Sequence, residues 1–296
     1  MALDVAVRVR FCLPPEDLRA YFTSFYVTEI DPGSGARIND ALHPEWANLR
    51  FFSGDAPDAA IDGHGAIAGA HFVATGPSSR CTHFTIGKTR FWGIGLLPLG
   101  WARFVGAPAA DHANLLADGR RHASFARFLP LAEQLFTEDG DEEVEFARIA
   151  AYFRTLPCPA GIDEERIIAI HQAVIDPALC TVAGLVERVG TSQRTIERTC
   201  QQAFGFSPKL LLRRQRFMRS LTQFMLDPSL KWIGALDGSY HDQAQFVRDF
   251  HEFMGMAPRG YAHRPHPILE TFMHERARVR GAAVQTLDRP DGATAS

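Results

Sequence analysis

Two arginines stand fifty positions apart, Arg198 and Arg248, and each follows a glutamine, Gln193 or Gln243, by five residues. The pair of side-chain types has one chemistry in common. A guanidinium fork can donate two hydrogen bonds to O6 and N7 of a guanine, and a carboxamide can exchange two with N6 and N7 of an adenine. The same interval carries further matches: Ile196 with Phe246, Gly205 with Gly255, Pro208 with Pro258, Lys209 with Arg259 and Arg214 with Arg264. A period in this range marks a duplicated supersecondary unit.

Reading a groove requires these side chains on one exposed face of a helix, and the local sequence supplies such helices. In the first copy, Thr181 precedes an apolar-periodic run at 182–189, Gly190-Thr191 makes a turn, and Ser192 is an N-cap for a helix over 193–204. Ile196, Cys200 and Phe204 fall on its inner face, leaving Gln193, Arg194, Glu197 and Arg198 outside; Gly205 stops it. In the second copy, a short helix over 231–237 turns at Gly238-Ser239-Tyr240, and Asp242 caps a helix over 243–254. That helix buries Phe246, Phe250 and Phe253 and is expected to expose Gln243, Gln245, Arg248 and Asp249. Ser207-Pro208 starts a long connecting helix whose Arg213, Arg214, Arg216 and Arg219 suit phosphate contact. For Arg198 and Arg248 the alternative is an ion pair that braces each unit internally.

The grammar is that of two helix-turn-helix units. Residues 178–264, and above all Ala235-Leu236-Asp237-Gly238-Ser239-Tyr240 continuing through Tyr261, resemble the C-terminal domain of the AraC/XylS family of transcription regulators. That resemblance implies double-stranded DNA as partner, with the helices over 193–204 and 243–254 in successive major grooves. It makes Arg194, Glu197 and Arg198 base-reading residues in the first copy, and Gln243, Gln245 and Arg248 in the second. Three departures stand out. Ser239 occupies a usual Gly position, so Gly238 is expected to take the strained turn conformation; Cys200 replaces a bulky aromatic and Gly234 an Ala.

Charge is divided accordingly. The chain has 31 Lys and Arg against 34 Asp and Glu, a net charge of −3. Residues 178–264 hold 12 of the former and 7 of the latter, whereas residues 1–177 hold 15 and 23. A basic reader joined to an acidic half predicts salt-sensitive DNA affinity.

The first hundred residues read as short β-runs at Val5–Cys12, Tyr21–Ile30, Ala47–Ser53, Ala66–Thr75 and Arg90–Leu97, separated by Gly, Pro and Asp clusters. The expected fold is α+β: a small β-barrel or sandwich over 1–106, which the family resemblance makes a cupin-like sensory domain, a helical linker or dimerisation region over 107–176, the DNA-binding domain over 177–265 and a partly disordered tail over 266–296. The stretch 91–101 looks like the end of such a regulator's N-terminal domain. Aromatic-rich strands offer Phe51, His71, Phe72 and Trp92 as an effector pocket, with plain core packing as the alternative. The linker helices either form a dimer surface or cover the barrel.

Catalytic chemistry finds little support. His64, His71 and His83 are scattered without an H-x-H, and no phosphate loop, G-x-S-x-G elbow or H-E-x-x-H occurs. No cofactor or metal is expected and the chain reads as a non-enzyme; a catalytic cupin with accessory DNA binding is the alternative. Five scattered cysteines indicate a reducing compartment, and Arg80 beside Cys81 is the one neighbour that could activate a thiol sensor. Met1–Asp4 does not begin a secretory signal, and no apolar run nears the ~20 residues of a membrane span. The expectation is a cytoplasmic, nucleoid-associated regulator, with RNA polymerase a further partner if it activates, and with a homodimer and a small-molecule effector in view.

Overall fold

The computed structural model describes residues 5–290 apart from 34. The expectation for Met1–Asp4, and the 291–296 part of the expectation of a disordered tail, fall outside the described residues. Among those described, ten strands form two antiparallel sheets. The larger runs β1 (Ala6–Cys12), β2 (Phe22–Asp31), β9 (Thr89–Leu96), β4 (Ala47–Gly54), β7 (Phe72–Thr75) and β10 (Leu116–Asp118) in spatial order. The smaller runs β3 (Ile38–Leu42), β8 (Thr82–Ile86), β5 (Asp58–Ile61) and β6 (Gly65–Ile67). The β-rich domain expected at the N-terminus is thus built as two antiparallel sheets, neither closed on itself. The run expected over Ala66–Thr75 is broken into β6 and β7 around Gly69, whose φ of +64° leaves the extended region.

The central strands of the larger sheet are buried on both faces, and Thr23, Ser24, Thr28, Asn48 and Arg50 are buried along with their apolar residues. One face presents Leu49, Phe51, Phe72, Trp92 and Ile94 to a core that includes Ile149 and Phe153. Those two belong to α3 (Glu142–Thr155), which follows α1 (Pro98–Gly100) and α2 (Leu129–Gln134). Asp141 caps α3 by accepting from the backbone N–H groups of Glu143 and Val144 at 3.0 and 3.1 Å. Glu145, fully buried under the helix, accepts from Trp92 Nε1 at 2.6 Å and Arg90 Nη1 at 3.0 Å. This part of the linker therefore covers the sheet.

The rest of the helical half comprises α4 (Glu164–Ile175), α5 (Val182–Val189), α6 (Gln193–Thr199, wound on as a π turn through Phe204), α7 (Pro208–Leu226), α8 (Lys231–Ala235), α9 (Gln243–Met254), α10 (Pro258–Ala262) and α11 (Pro267–Arg280). Ile167, Ile170 and Val174 of α4 pack with Leu185, Ile196, Phe204 and Leu211, not with the sheets. The first part of the C-terminal tail forms α11. Ile268, Leu269 and Met273 of α11 are buried, and the Asp40 carboxylate accepts from the N–H groups of Ile268 and Leu269 at 2.8 and 3.0 Å. Among the described residues, no helix is long and apolar enough to cross a membrane.

The two halves share cores. Trp46, Leu97 and Leu99 of the N-terminal half join the α4–α7 cluster, and Ala41 and Cys81 join the α7–α9 cluster. Burial of continuous apolar surface across the seam is what holds them together.

Candidate nucleic-acid interface

Each recognition helix begins on a capping side chain at the same place in its unit. Ser192 Oγ accepts from the N–H of Thr195 at 3.2 Å, and Asp242 Oδ1 accepts from that of Gln245 at 2.6 Å. Both helices end on a left-handed glycine, Gly205 at φ +83° and Gly255 at φ +68°. Between these fixed ends, Ile196, Cys200, Ala203 and Phe204 face inward in the first unit, and Phe246, Phe250, Phe253 and Met254 in the second. Burial of that stripe dictates what is left outside.

Gln193, Arg194, Glu197, Arg198, Gln243 and Arg248 are exposed, and Gln245 is half-buried. Gln193 Nε2 donates to Glu197 Oε1 at 2.8 Å, so these two form one polar pair on the helix surface. Gln245 Oε1 accepts from the His241 backbone N–H at 3.4 Å. Arg194, Arg198 and Arg248 make no ion pair within the described residues, which leaves the internal-brace alternative without support. Lys209 and Arg259, at matching offsets in the first turns of α7 and α10, are exposed and likewise outside any ion pair. The fifty-residue period had already aligned those two cations, although sequence reasoning did not count them as site residues.

The connecting helix is different, and here the sequence expectation is corrected. Arg213 donates to Asp249 Oδ1 at 2.6 Å and also pairs with Glu252; Arg216 reaches Asp249 Oδ2 at 3.0 Å and stacks 4.1 Å over Tyr240; Arg219 pairs with Asp237. Asp249, expected on the exposed face, is 1 % exposed and also accepts from Tyr240 Oη at 2.9 Å. The arginine stripe of α7 therefore clamps the second unit, each of Arg213, Arg216 and Arg219 being held by a carboxylate. Arg214 is fully buried: its guanidinium lies 4.1 Å over Trp46 and Nη1 donates to the Ser78 carbonyl at 2.7 Å. It bolts α7 to the N-terminal half and cannot reach a phosphate. Burial without a carboxylate partner pulls its pKa down to about 9.

Two smaller expectations also change. Gly238 is absent from the left-handed region; the turn is held instead by Asp237, which accepts from the Ser239 N–H at 3.0 Å while its own N–H donates to Ser220 Oγ at 2.8 Å. Cys81 is buried and its thiol pushed up to about 12, the reverse of an activated sensor, while Arg80 donates to the Glu252 carbonyl.

Two capped helices, two glycine stops and matched exposed cations make a duplicated unit with one polar face in each copy. Residues 185–264 match a family model described as a helix-turn-helix domain. This segment is an AraC-type helix-turn-helix domain. No curated protein matches the chain. Among solved structures, ToxT from Vibrio cholerae is similar at 11 % identity, covering 87 % of this chain and 97 % of that one with a TM-score of 0.44. ToxT bound to (E)-4-(8-methylnaphthalen-1-yl)but-3-enoic acid follows at 10 % identity, 87 % and 98 % coverage and a TM-score of 0.42. The AraC-like transcriptional activator CuxR is similar at 11 % identity, 72 % and 86 % coverage and a TM-score of 0.24.

The four residues expected to line an effector pocket are not brought together as one. Phe51, Phe72 and Trp92 are buried in the core under α3, and His71 is exposed on the same region of chain. α11 packs instead against a cavity on the opposite face of the sheet, lined by Phe52, Val73 and Phe91. Each of these is one residue from an expected one. In a strand, a shift of one residue exchanges the two faces, and the apolar pairs Phe51-Phe52, Phe72-Val73 and Phe91-Trp92 carry no mark of which member faces which way.

Proposed function

We propose that this protein is a sequence-specific DNA-binding transcription regulator, reading two successive major grooves with α6 and α9. The observation that carries the reading is the equivalence of Arg198 and Arg248: same offset from a cap, both exposed, neither drawn into an ion pair. Arg194 and the Gln193–Glu197 pair complete the first reading surface, Gln243 and Gln245 the second. Lys209 and Arg259 take phosphates, in place of the α7 arginines.

In this reading the N-terminal half, residues 1–106 with the covering helices of 107–176, is the regulatory part, and a small-molecule effector acts there. The protein works in the cytoplasm, on DNA, as a regulator and not as an enzyme; homodimerisation and contact with RNA polymerase belong to the same proposal. An effector has regulatory force only if its affinity differs between two arrangements of the reader. The shared cores and the Arg214 bolt give the N-terminal half a physical hold on both units.

A random-duplex selection at two salt concentrations, with Arg198→Ala and Arg248→Ala beside the wild type, tests the reading. Two sequence blocks about one helical turn apart are expected, each variant losing one. Tight binding with no recovered motif would reject it.

A further inference from the structure

The loop between β7 and β8 crosses from the larger sheet to the smaller one, and it touches both recognition helices at their C-terminal ends. At the first unit the contact is steric. A Cβ on Gly205, the stop of the first helix, would stand 3.1 Å from Pro77 Cγ and 3.1 Å from the Ala109 carbonyl oxygen. This glycine therefore serves a close approach as well as its positive φ. At the second unit the contact is made by hydrogen bonds. Arg80 donates from Nη1 to the Glu252 carbonyl, and the Cys81 N–H donates to the Phe253 carbonyl at 2.8 Å. Both acceptors lie in the last turn of α9, where carbonyls lack partners within the helix. A guanidinium there also meets the negative end of the helix dipole. Between these two contacts, the Ser78 carbonyl accepts from Arg214 of α7.

The loop is itself fixed. The Ser78 N–H donates to the Glu45 carbonyl and Ser78 Oγ accepts from the Glu45 N–H, each at 2.9 Å. The Ser79 N–H donates to Asn114 Oδ1 at 2.8 Å, and the Asn114 N–H donates to the Pro77 carbonyl at 2.8 Å. Asn114 makes these bonds from a φ of +57°, a left-handed conformation that asparagine tolerates better than most residues. A Cβ on Gly76 would collide with the His112 carbonyl, so the loop lies flush on the segment before Asn114. Pro77, Ser78 and Ser79 are buried.

We propose that the 76–81 loop is the spacing gauge of the reader. It fixes α6 relative to α9, with Arg80 as the positioning residue for the second helix, so that the protein accepts one separation of its two DNA blocks. Such a role presupposes that α6 and α9 read DNA as proposed above. The connecting helix α7 lends Leu211 to the core of the first unit and Phe217 and Leu221 to that of the second. The loop adds a second tie, from the end of one reading helix to the end of the other. Each base pair inserted between two blocks moves the second about 3.4 Å along the duplex and roughly 35° around it. A fixed pair of helices cannot follow.

The test takes the two-block duplex recovered by selection with the wild type, and measures affinity for it and for versions with one base pair added or removed between the blocks. The full chain is used as wild type, Arg80→Met, Arg80→Lys and Asn114→Gly; the last keeps the left-handed φ and removes the side-chain bond to Ser79. The wild type is expected to lose at least about tenfold in affinity on either change, comparable with one mismatched base pair. Arg80→Met and Asn114→Gly should shrink that penalty to about threefold, while binding the original duplex within about threefold of the wild type. Arg80→Lys, which still donates to the carbonyl, should keep the full penalty. Weakening of all three duplexes by the same factor, the mark of a merely structural role, would overturn the gauge, as would an unchanged penalty in Arg80→Met and Asn114→Gly. A wild type indifferent to spacing would overturn it too and leave the two-groove reading standing. Absence of any two-block motif would reject that reading itself, and the gauge with it.

Discussion

The two helix-turn-helix units share a sequence grammar and differ in how they are held. The first is fastened by apolar packing: Ile196, Cys200 and Phe204 sit in one core with Leu185, Ile170 and Trp46. The second adds a polar clamp, with Asp249 receiving Arg213, Arg216 and Tyr240 while Asp237 receives Arg219. It is also tied to the N-terminal half by the Cys81 N–H, which donates to the Phe253 carbonyl at 2.8 Å. A repeated motif thus specifies the exposed polar faces of α6 and α9, and each copy is left to find its own support. Apolar support degrades gradually when trimmed, whereas a buried ion cluster fails when one member is removed.

The sharpest way to break the comparison is Asp249→Ala. It strips a 1 % exposed carboxylate from three donors, leaving Arg216 without its carboxylate and Arg213 with Glu252 alone. A loss of about 3–5 kcal/mol is expected, read by chemical denaturation and confined to the second unit by hydrogen exchange. Asp249→Asn, which keeps an acceptor, should cost less. An unchanged denaturation midpoint for Asp249→Ala would reduce the clamp to decoration.

Acid should strain both units alike. His171 lies 5.5 Å, ring to ring, from Trp46 beneath the first unit, and His43 Nε2 meets Tyr261 Oη at 2.6 Å beneath the second. Burial, then the charge of Arg214 for His171 and of His266 for His43, lowers each imidazole to a pKa of about 3. Because the folded value lies below the unfolded one of about 6.5, the fold keeps its full stability above that pH and loses it as pH falls towards 3. At pH 5 the loss is about 2 kcal/mol per histidine. Unfolding free energies measured at pH 7 and pH 5 should show it, and His171→Gln and His43→Gln should each remove about half of the difference.

How far this was legible in the sequence depends on which force fixed each feature. Caps, glycine stops and the inward stripes of α6 and α9 follow from local chemistry, and the sequence placed them. The reader's exposed residues followed because the apolar stripe leaves only one face for them. Asp249 misled because helical spacing puts it beside Arg248, while three donors from α7 and Tyr240 draw it inward. Arg214 misled for a related reason: its neighbours Trp46 and Ser78 are more than a hundred positions away, and no local pattern announces a buried arginine. The strands β3, β5 and β8 were missed because short polar-apolar segments such as Ile38-Asn39-Asp40 become strands only by pairing with distant partners. α11 was readable in principle, since Ile268, Leu269, Phe272 and Met273 recur at helical spacing; tail composition hid it.

The caps offer a finer comparison. Ser192→Ala and Asp242→Ala remove equivalent hydrogen bonds, at 3.2 and 2.6 Å. Each should cost about 1 kcal/mol. The Asp242 variant should cost more, since its charge also meets the positive end of the helix dipole. Denaturation in 0.1 and 1 M salt separates the two contributions, for only the Asp242 cost should shrink as salt rises. Equal costs at both salts would mean that the charge does nothing beyond the hydrogen bond.

The smallest effect concerns the cations. If phosphate contact belongs to Lys209 and Arg259 rather than to the α7 stripe, Lys209→Ala and Arg259→Ala should each lower the slope of log affinity against log salt by about one. Arg213→Ala should leave that slope in place once its stability loss is allowed for, because its donors are held by Asp249 and Glu252. Binding isotherms at 50, 100 and 200 mM salt (roughly the range over which counterion release is steep) distinguish these outcomes. A fall in slope for Arg213→Ala would show that DNA draws the arginine out of its clamp. The second unit's support would then be exchangeable with its target, and binding would loosen that unit as it engages, while the apolar support of the first stayed intact.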